Sequence, residues 1–414
     1  MSFLLGVIRD LLWSVPTVGL LTGTGIYFTV KSRFYPIRCI GKVINSVKTE
    51  NTNQGISPIK GLMTALGGTV GVGSITGVAY AITEGGAGAL FWMWVSSFLC
   101  MMLKYAENYI TVREKGKNGG SASNILAKEG RKKAALFFAV MGILSSFGSG
   151  NLAQANAFSL SAKEIGISPV AAGVIFSLFL LPAVFGGQKT IAKFNTFLVP
   201  AAAIVFVGAV AGITLCHITR IPKVMGEIFT SAFGIKEFGA GISGTVISQA
   251  LRTGVSKGVF SHEAGMGSSP IAHAAADTTP EKAANFGIIE IFADTFSVST
   301  LTALALLCSG SETAEEMFFV SFGSLGGIVL AVSVGVLAYA AVISWCFYSE
   351  TLLKYIFGSK RIPFFIYRIC AAATAFIGCI WSAETAWQTA DIFNALMLFP
   401  NLYAVIIKRK EILF

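Results

Sequence analysis

Gly67–Gly77 reads GGTVGVGSITG and sits inside an otherwise apolar stretch, residues 62–82. Five of its eleven residues are glycine. Each glycine costs a helix up to about 1 kcal/mol relative to alanine. Glycine also lets membrane helices pack closely, so a glycine-rich packing helix is the competing reading. Five in eleven favours a break. Unwound backbone is tolerated at membrane depth only where it is buried in protein or lines a cavity. The stretch therefore predicts two half-helices meeting at Thr69–Ser74.

The rest of the chain supplies the membrane. Of 414 residues, 54% are hydrophobic and 13% are charged, about half the usual charged share of a soluble protein. One soluble core could not hide so much apolar surface. Eleven stretches have the ~20 residues that a bilayer crossing needs. They lie near 12–30, 62–82, 88–112, 134–160, 169–186, 194–216, 240–276, 284–308, 319–350, 363–382 and 388–407. The first has the length of a full span and lacks a small-residue cleavage site, so no signal peptide is expected. The seven cysteines form no CxxC and read as small packing residues.

Charge gives the orientation. The net charge is +10, yet no basic recognition helix is present, so nucleic acid is not an expected partner. Twenty-two Lys and Arg fall in the loops after spans 1, 3, 5, 7 and 9 and in the C-terminal tail, against five on the other side. The positive-inside rule then places the C-terminus in the cytoplasm and the N-terminus outside. Between spans 1 and 2, Phe34, Ile37, Ile40, Val43, Ile44 and Val47 interleave with bases from Arg33 to Lys48. This reads as a basic amphipathic helix on the inner leaflet, in contact with membrane lipids.

Span 7 mirrors span 2. Gly244–Ala276 reads GTVISQALRTGVSKGVFSHEAGMGSSPIAHAAA, with Gly254, Gly258, Gly265 and Gly267 loosening it. Arg252, Lys257, His262 and Glu263 fall near its middle, where a lipid-facing charge costs at least ~2.5 kcal/mol. They are expected to face a cavity or each other, with Arg252–Glu263 a plausible pair. Spans 2–6 and 7–11 form two sets of five, each opening with a broken helix. Five is odd, so the second set enters the membrane inverted. The expected division is 1–60 (an extra helix and the amphipathic segment), 61–216 (first repeat) and 240–407 (second repeat). Paired interrupted helices at matching positions point to a transport site. Half-helix N-termini offer N–H groups to a carboxylate, and the opposing carbonyl ends suit a cation or ammonium. An amino-acid zwitterion presents both.

Other polar groups at depth are Asn151, Gln154 and Asn156 in span 4, with Gln154 the best cavity candidate. Glu290 and Asp294, at i and i+4 in span 8, are expected to share one face and could bind a cation, relay protons or pair between helices. Lys104 and Glu107 are expected to snorkel or pair at the inner end of span 3. Trp92, Trp94, Trp381 and Trp387 read as interface-belt residues.

Six collinear stretches resemble the alanine or glycine:cation symporter family. They are GTVGVGSITGVA (Gly68–Ala79), GGAGALFWMWVSSFL (Gly85–Leu99), LKYAE (Leu103–Glu107), GNLAQANA (Gly150–Ala157), VFSHEAGMGSSPIAHAAA (Val259–Ala276) and DIFNALMLFPNL (Asp391–Leu402). The second departs from the family signature at Cys100, where that pattern has Gly. The resemblance implies an all-α polytopic membrane protein, a LeuT-like 5+5 inverted repeat with one extra N-terminal transmembrane helix. It implies import of alanine, glycine or a similar small amino acid with sodium, in a bacterial or archaeal plasma (inner) membrane. It places substrate against Thr69, Gly71, Gly73 and Ser74, with Gln154, Phe260, Ser261 and Trp345 lining the pocket. Ion-coupling candidates are the backbone at Gly68 and Val70, with Ala340, Ala341, His262 and Asp294. The chain departs from the family pattern at Ser74 and His262, both usually Asn, and at Ala340–Ala341, usually a Ser-Thr pair. Fewer hydroxyls leave sodium short of oxygen ligands. Histidine changes charge in the physiological range, so protons could replace or assist sodium. No resident cofactor is expected.

Two other classes share some of these features. GISG at Gly241–Gly244 resembles the GxSG of an intramembrane serine protease, with His262 or His273 as base, but span count and charge layout fit that class poorly. A channel could also use broken helices; saturable flux and counterflow would separate a carrier from a pore.

Overall fold

The structure is a computed structural model that describes residues 2–48, 55–116, 119–234 and 243–414. Described residues form 21 α-helices interrupted by short 3-10 and π segments. At the N-terminal end, α1 (Ser2–Leu12) and α2 (Val15–Lys31) together give one apolar crossing. The basic segment after it folds as two short pieces, α3 (Tyr35–Arg38) and α4 (Ile40–Asn45), rather than one helix. Ile37, Ile40, Ile44 and Val47 are exposed there, and Val43 is buried.

Eight described helical segments are long and apolar enough to cross a bilayer. Three expected spans miss that test. α11 (Pro169–Phe185) has 17 residues. Span 2 is split into α5 (Pro58–Thr69) and α6 (Thr76–Gly85). Span 7 is split into α14 (Ser243–His262) and α15 (Ser269–Ala275), and its polar residues lower its hydropathy. The helices between and after them are α7 (Gly88–Arg113), the short α8 (Ala122–Lys128), α9 (Lys132–Phe147), α10 (Ala153–Lys163), α12 (Gly187–Cys216) and α13 (Ile221–Ala232). The chain then continues through α16 (Pro280–Ile291), α17 (Thr300–Ser309), α18 (Ala314–Phe322), α19 (Ser324–Phe357), α20 (Arg361–Ile380) and α21 (Ala383–Ile407).

The fold is the LeuT-like arrangement. α5 packs on α12, α15 and α19, while α14 packs on α6 and α7. α7 and α19 bury most of their surface and act as walls around the two broken helices, whereas α2, α12 and α20 are peripheral. Two helices carry π-turns, Gly148–Leu152 between α9 and α10 and Phe292–Ser299 between α16 and α17. A π-turn widens the helix by one residue and re-aims the side chains beyond it, often at functional sites.

Candidate functional site at the two helix breaks

Span 2 breaks where its glycines predict. α5 ends at Thr69, Gly71 is extended, and Val72–Ser74 make one 3-10 turn before α6. A Cβ on Gly71 would lie 3.0 Å from Gln154 Oε1 and 3.2 Å from the Ala341 methyl, so only glycine fits without displacement. Span 7 breaks after His262. Glu263 takes φ 56°, a left-handed conformation unusual for a non-glycine residue. Gly265 and Gly267 follow at φ 89° and 71°, values that glycine alone adopts freely. Glu263 is held by a hydrogen bond from Ser268 to its Oε2 at 2.6 Å.

The two breaks face each other. Ser74 and Ser261 hydroxyls lie 3.2 Å apart, and both donate to Asp294 Oδ1, Ser261 at 2.8 Å. Thr295 donates to Asp294 Oδ2 at 3.1 Å. One buried carboxylate and three hydroxyl oxygens, all on hard oxygen atoms, thus converge between the breaks. Gln154 joins from α10: its Oε1 accepts the Val72 N–H at 3.2 Å, and its Nε2 donates to Ser149 carbonyl. Phe260 and Ser261 lie against Gly73, and Trp345 packs on Gly150 of the first π-turn and edge-on to Tyr348. Tyr348 closes over Gly68 and donates to the Thr64 carbonyl at 3.3 Å. Ala340 and Ala341 are fully buried and offer methyl groups, not oxygens; Ala341 touches Gly71. Thr69, Val70, Gly71, Gly73, Ser74, Gln154, Phe260, Ser261 and Trp345 are all buried, so the centre is occluded.

Above the centre the closure is aromatic and ionic. Phe260 lies 4.7 Å from Trp387, and Trp387 lies 5.3 Å from Tyr80. Lys257 Nζ sits 5.3 Å from the Trp387 ring and 2.8 Å from Asp391 Oδ2. Beyond this pair opens a cavity of about 760 Å³, with Arg9, Asp10, Glu84 and Arg252 on its walls. Below the centre, the Lys104 ammonium spans both breaks. It reaches the His262 carbonyl at 2.6 Å, Thr69 Oγ1 at 3.4 Å and Glu290 Oε2 at 2.8 Å. His273 Nε2 meets the other oxygen of Glu290 at 2.6 Å. A fixed cation therefore sits at the C-terminal ends of α5 and α14, where helix dipoles favour positive charge.

Several expectations need correction. Of the two readings for Lys104 and Glu107, snorkelling fails, since both are buried, and pairing holds for Lys104, which meets Glu290, while Glu107 accepts from Asn401 at 2.5 Å. Arg252 does not pair with Glu263; it stands in the outer cavity, 3.9 Å from Asp10. Of the readings for Glu290 and Asp294, pairing between helices holds for Glu290, which meets Lys104, while Asp294 on the π-turn that begins at Phe292 meets Ser74 and Ser261. Trp387 is buried in the closure rather than in an interface belt. Asn156 ties helices, donating to the Gly378 and Trp381 carbonyls. His262 is buried, with its Nδ1 accepting the Ala264 N–H at 3.1 Å and its Nε2 without a hydrogen-bond partner among the described residues. GISG begins outside the described residues, as do Lys117 and Lys236 of the loop charges. Asp391 was not singled out from sequence, although an acid at depth in an apolar helix signals a buried cation partner.

Comparison with known proteins fits this geometry. The sequence profile described as the sodium:alanine symporter family matches residues 1–413. The chain is 35% identical to the sodium/alanine symporter AgcS of Methanococcus maripaludis, over 98% of this chain and 94% of that protein. It is 31% identical to a Bacillus subtilis protein named as a probable sodium/glutamine symporter, GlnT, over 100% and 89%. The crystal structure of MhsT in complex with L-phenylalanine shares the fold, with a TM-score of 0.54 at 16% identity, covering 86% of this chain and 99% of that one. A full-length profile match and a 35% identical symporter agree with two helix breaks facing across a buried oxygen cluster; the chain belongs to the sodium:alanine symporter family, whose members are multi-pass membrane proteins that carry amino acids with a cation.

Proposed function

We propose that this chain imports a small neutral amino acid, alanine or glycine, with sodium across a bacterial or archaeal plasma membrane. The reading has eleven crossings, the N-terminus outside and the C-terminus cytoplasmic, and one five-helix repeat rocking against the other. The observation that carries it is the meeting of Ser74, Ser261 and Asp294 between two unwound segments. The substrate carboxylate would lie against the unwound backbone from Thr69 to Ser74. Gln154, Phe260, Ser261 and Trp345 would line the pocket. The approach of Ala341 and Gln154 to Gly71 supports a small side chain.

Ala340 and Ala341 bring no side-chain oxygen, so sodium is assigned to Asp294 with Ser74, Ser261 and Thr295 rather than to the span 9 face beside Gly68 and Val70. Ion and substrate then stabilise the same occluded state, which couples them by linkage. A second reading, proton coupling, has its own support in buried His262, whose Nε2 lacks a partner among the described residues. Uptake of labelled alanine and glycine into proteoliposomes, with sodium and proton gradients imposed separately, decides between them. Uptake that follows the sodium gradient and ignores the proton gradient supports the first; the reverse supports the second. Ion-independent uptake would remove both. Flux without saturation or counterflow would point to a pore.

A further inference from the structure

Far from the transport centre, a cavity of about 550 Å³ opens between the ends of α11, α19 and α20, at the end of the molecule where basic loops predominate. Three cations line it: Lys354, Arg361 and Arg368. Arg368 is committed. It donates from Nε and Nη2 to Glu350 Oε1 at 2.9 and 2.6 Å, and its guanidinium lies 5.6 Å over the Phe185 ring. Lys354 and Arg361 have no acidic partner within ion-pair distance among the described residues. The cavity thus holds two uncompensated positive charges over an aromatic floor that includes Phe185 and Phe364.

Its outer edge is apolar. Ile362, Phe365, Ile366 and Ile369 follow at i, i+3, i+4 and i+7, all exposed, and form one stripe running down α20 from Arg361. α20 begins without a side-chain cap or an acid in its first turn, so its free N–H groups add to the positive field at the mouth. Cationic head and apolar stripe are continuous. A soluble anion would use the first and leave the second unmatched.

We propose that this cavity binds one anionic phospholipid, its phosphate between Lys354 and Arg361 and an acyl chain along the α20 stripe. Basic pockets between membrane helices on the cytoplasmic side hold anionic head groups in this manner. Nothing in the transport reading depends on it.

The test uses the full-length transporter in detergent, with lipid retention read by native mass spectrometry. The wild-type protein should retain phosphatidylglycerol roughly tenfold more than phosphatidylcholine. Lys354→Gln with Arg361→Gln should abolish that preference, whereas Lys193→Gln, an exposed base outside the cavity, should keep it. Millimolar inorganic phosphate should not displace the lipid. The proposal is overturned if the double variant retains the lipid as wild type does, or if Lys193→Gln loses as much. Displacement by inorganic phosphate would likewise overturn it in favour of a soluble-anion site. Both substituted bases lie at the accessible rim of the fold, and an unchanged melting curve confirms that lost retention is not lost structure.

Discussion

The two broken helices face one another but are built differently. The residues of the break between α5 and α6 are themselves neutral: glycines, valines, Ser74 and one amide, Gln154, hold it, and the charges that touch it, Lys104 and Asp294, come from other helices. The break between α14 and α15 is flanked by charge: Lys257–Asp391 above it, Lys104–Glu290–His273 below it, and Glu263 within it. Neutral contacts of the first kind are individually weak, about 1 kcal/mol each, and can be exchanged for contacts with a substrate. Buried ion pairs resist opening because separating them leaves a charge uncompensated in low dielectric. The comparison casts the first break as the adaptable cradle and the second as the clamped partner.

The largest expected effect comes from filling the cradle. Gly71→Leu should abolish uptake, a loss of more than ~100-fold, while membrane insertion stays normal; normal uptake by this variant would remove the site from span 2. Next is the clamp. Lys104→Met leaves Glu290 buried beside His273 alone and should cost about 3–5 kcal/mol of stability, read as a lowered melting midpoint in detergent. Adding Glu290→Gln should restore part of it. A single variant that melts like wild type would erase the distinction between the two breaks.

The shared carboxylate comes third. Asp294→Asn should raise the sodium concentration for half-maximal uptake about tenfold or more, a change of ~1.4 kcal/mol, without moving the melting midpoint by a comparable amount. Unchanged sodium dependence would move the ion elsewhere. Smallest is the outer closure. Replacing both Lys257 and Asp391, by Met and Leu, removes the pair without orphaning a charge and should be nearly neutral for stability. Uptake kinetics should shift by about threefold in kcat and KM together, the signature of an altered lid.

How much of this was legible depends on the range of the signal. The first break is local, written in Gly67–Gly77, and reads directly from helix propensity. The second is nearly as plain in Gly265 and Gly267. The partners are not local. Lys257 meets Asp391 134 residues away, and Lys104 meets Glu290 on a helix that only the folded repeat brings near. Burial reverses the expected behaviour of Lys104: snorkelling presumes a nearby interface, and the surrounding helices remove it. The π-turn at Phe292–Ser299, which carries Asp294, has no signal in the i, i+4 spacing, because that spacing assumes an unbroken 3.6-residue period. The eight substrate residues rest on resemblance and Asp294 on being an acid at membrane depth; Ser74, Ser261 and Asp294 lie within hydrogen-bond reach of one another.

Lys104 has one more consequence. A charge carried on a side chain cannot dissociate, so the carbonyl ends of α5 and α14 keep their counter-charge whatever occupies the space between the breaks. On the proposed reading, the charge that changes partner during a cycle is that of Asp294, whose buried carboxylate an ion would cover and uncover. Lys104 is the constant of the site and Asp294 its variable, so the two breaks are held by one charge and switched by the other.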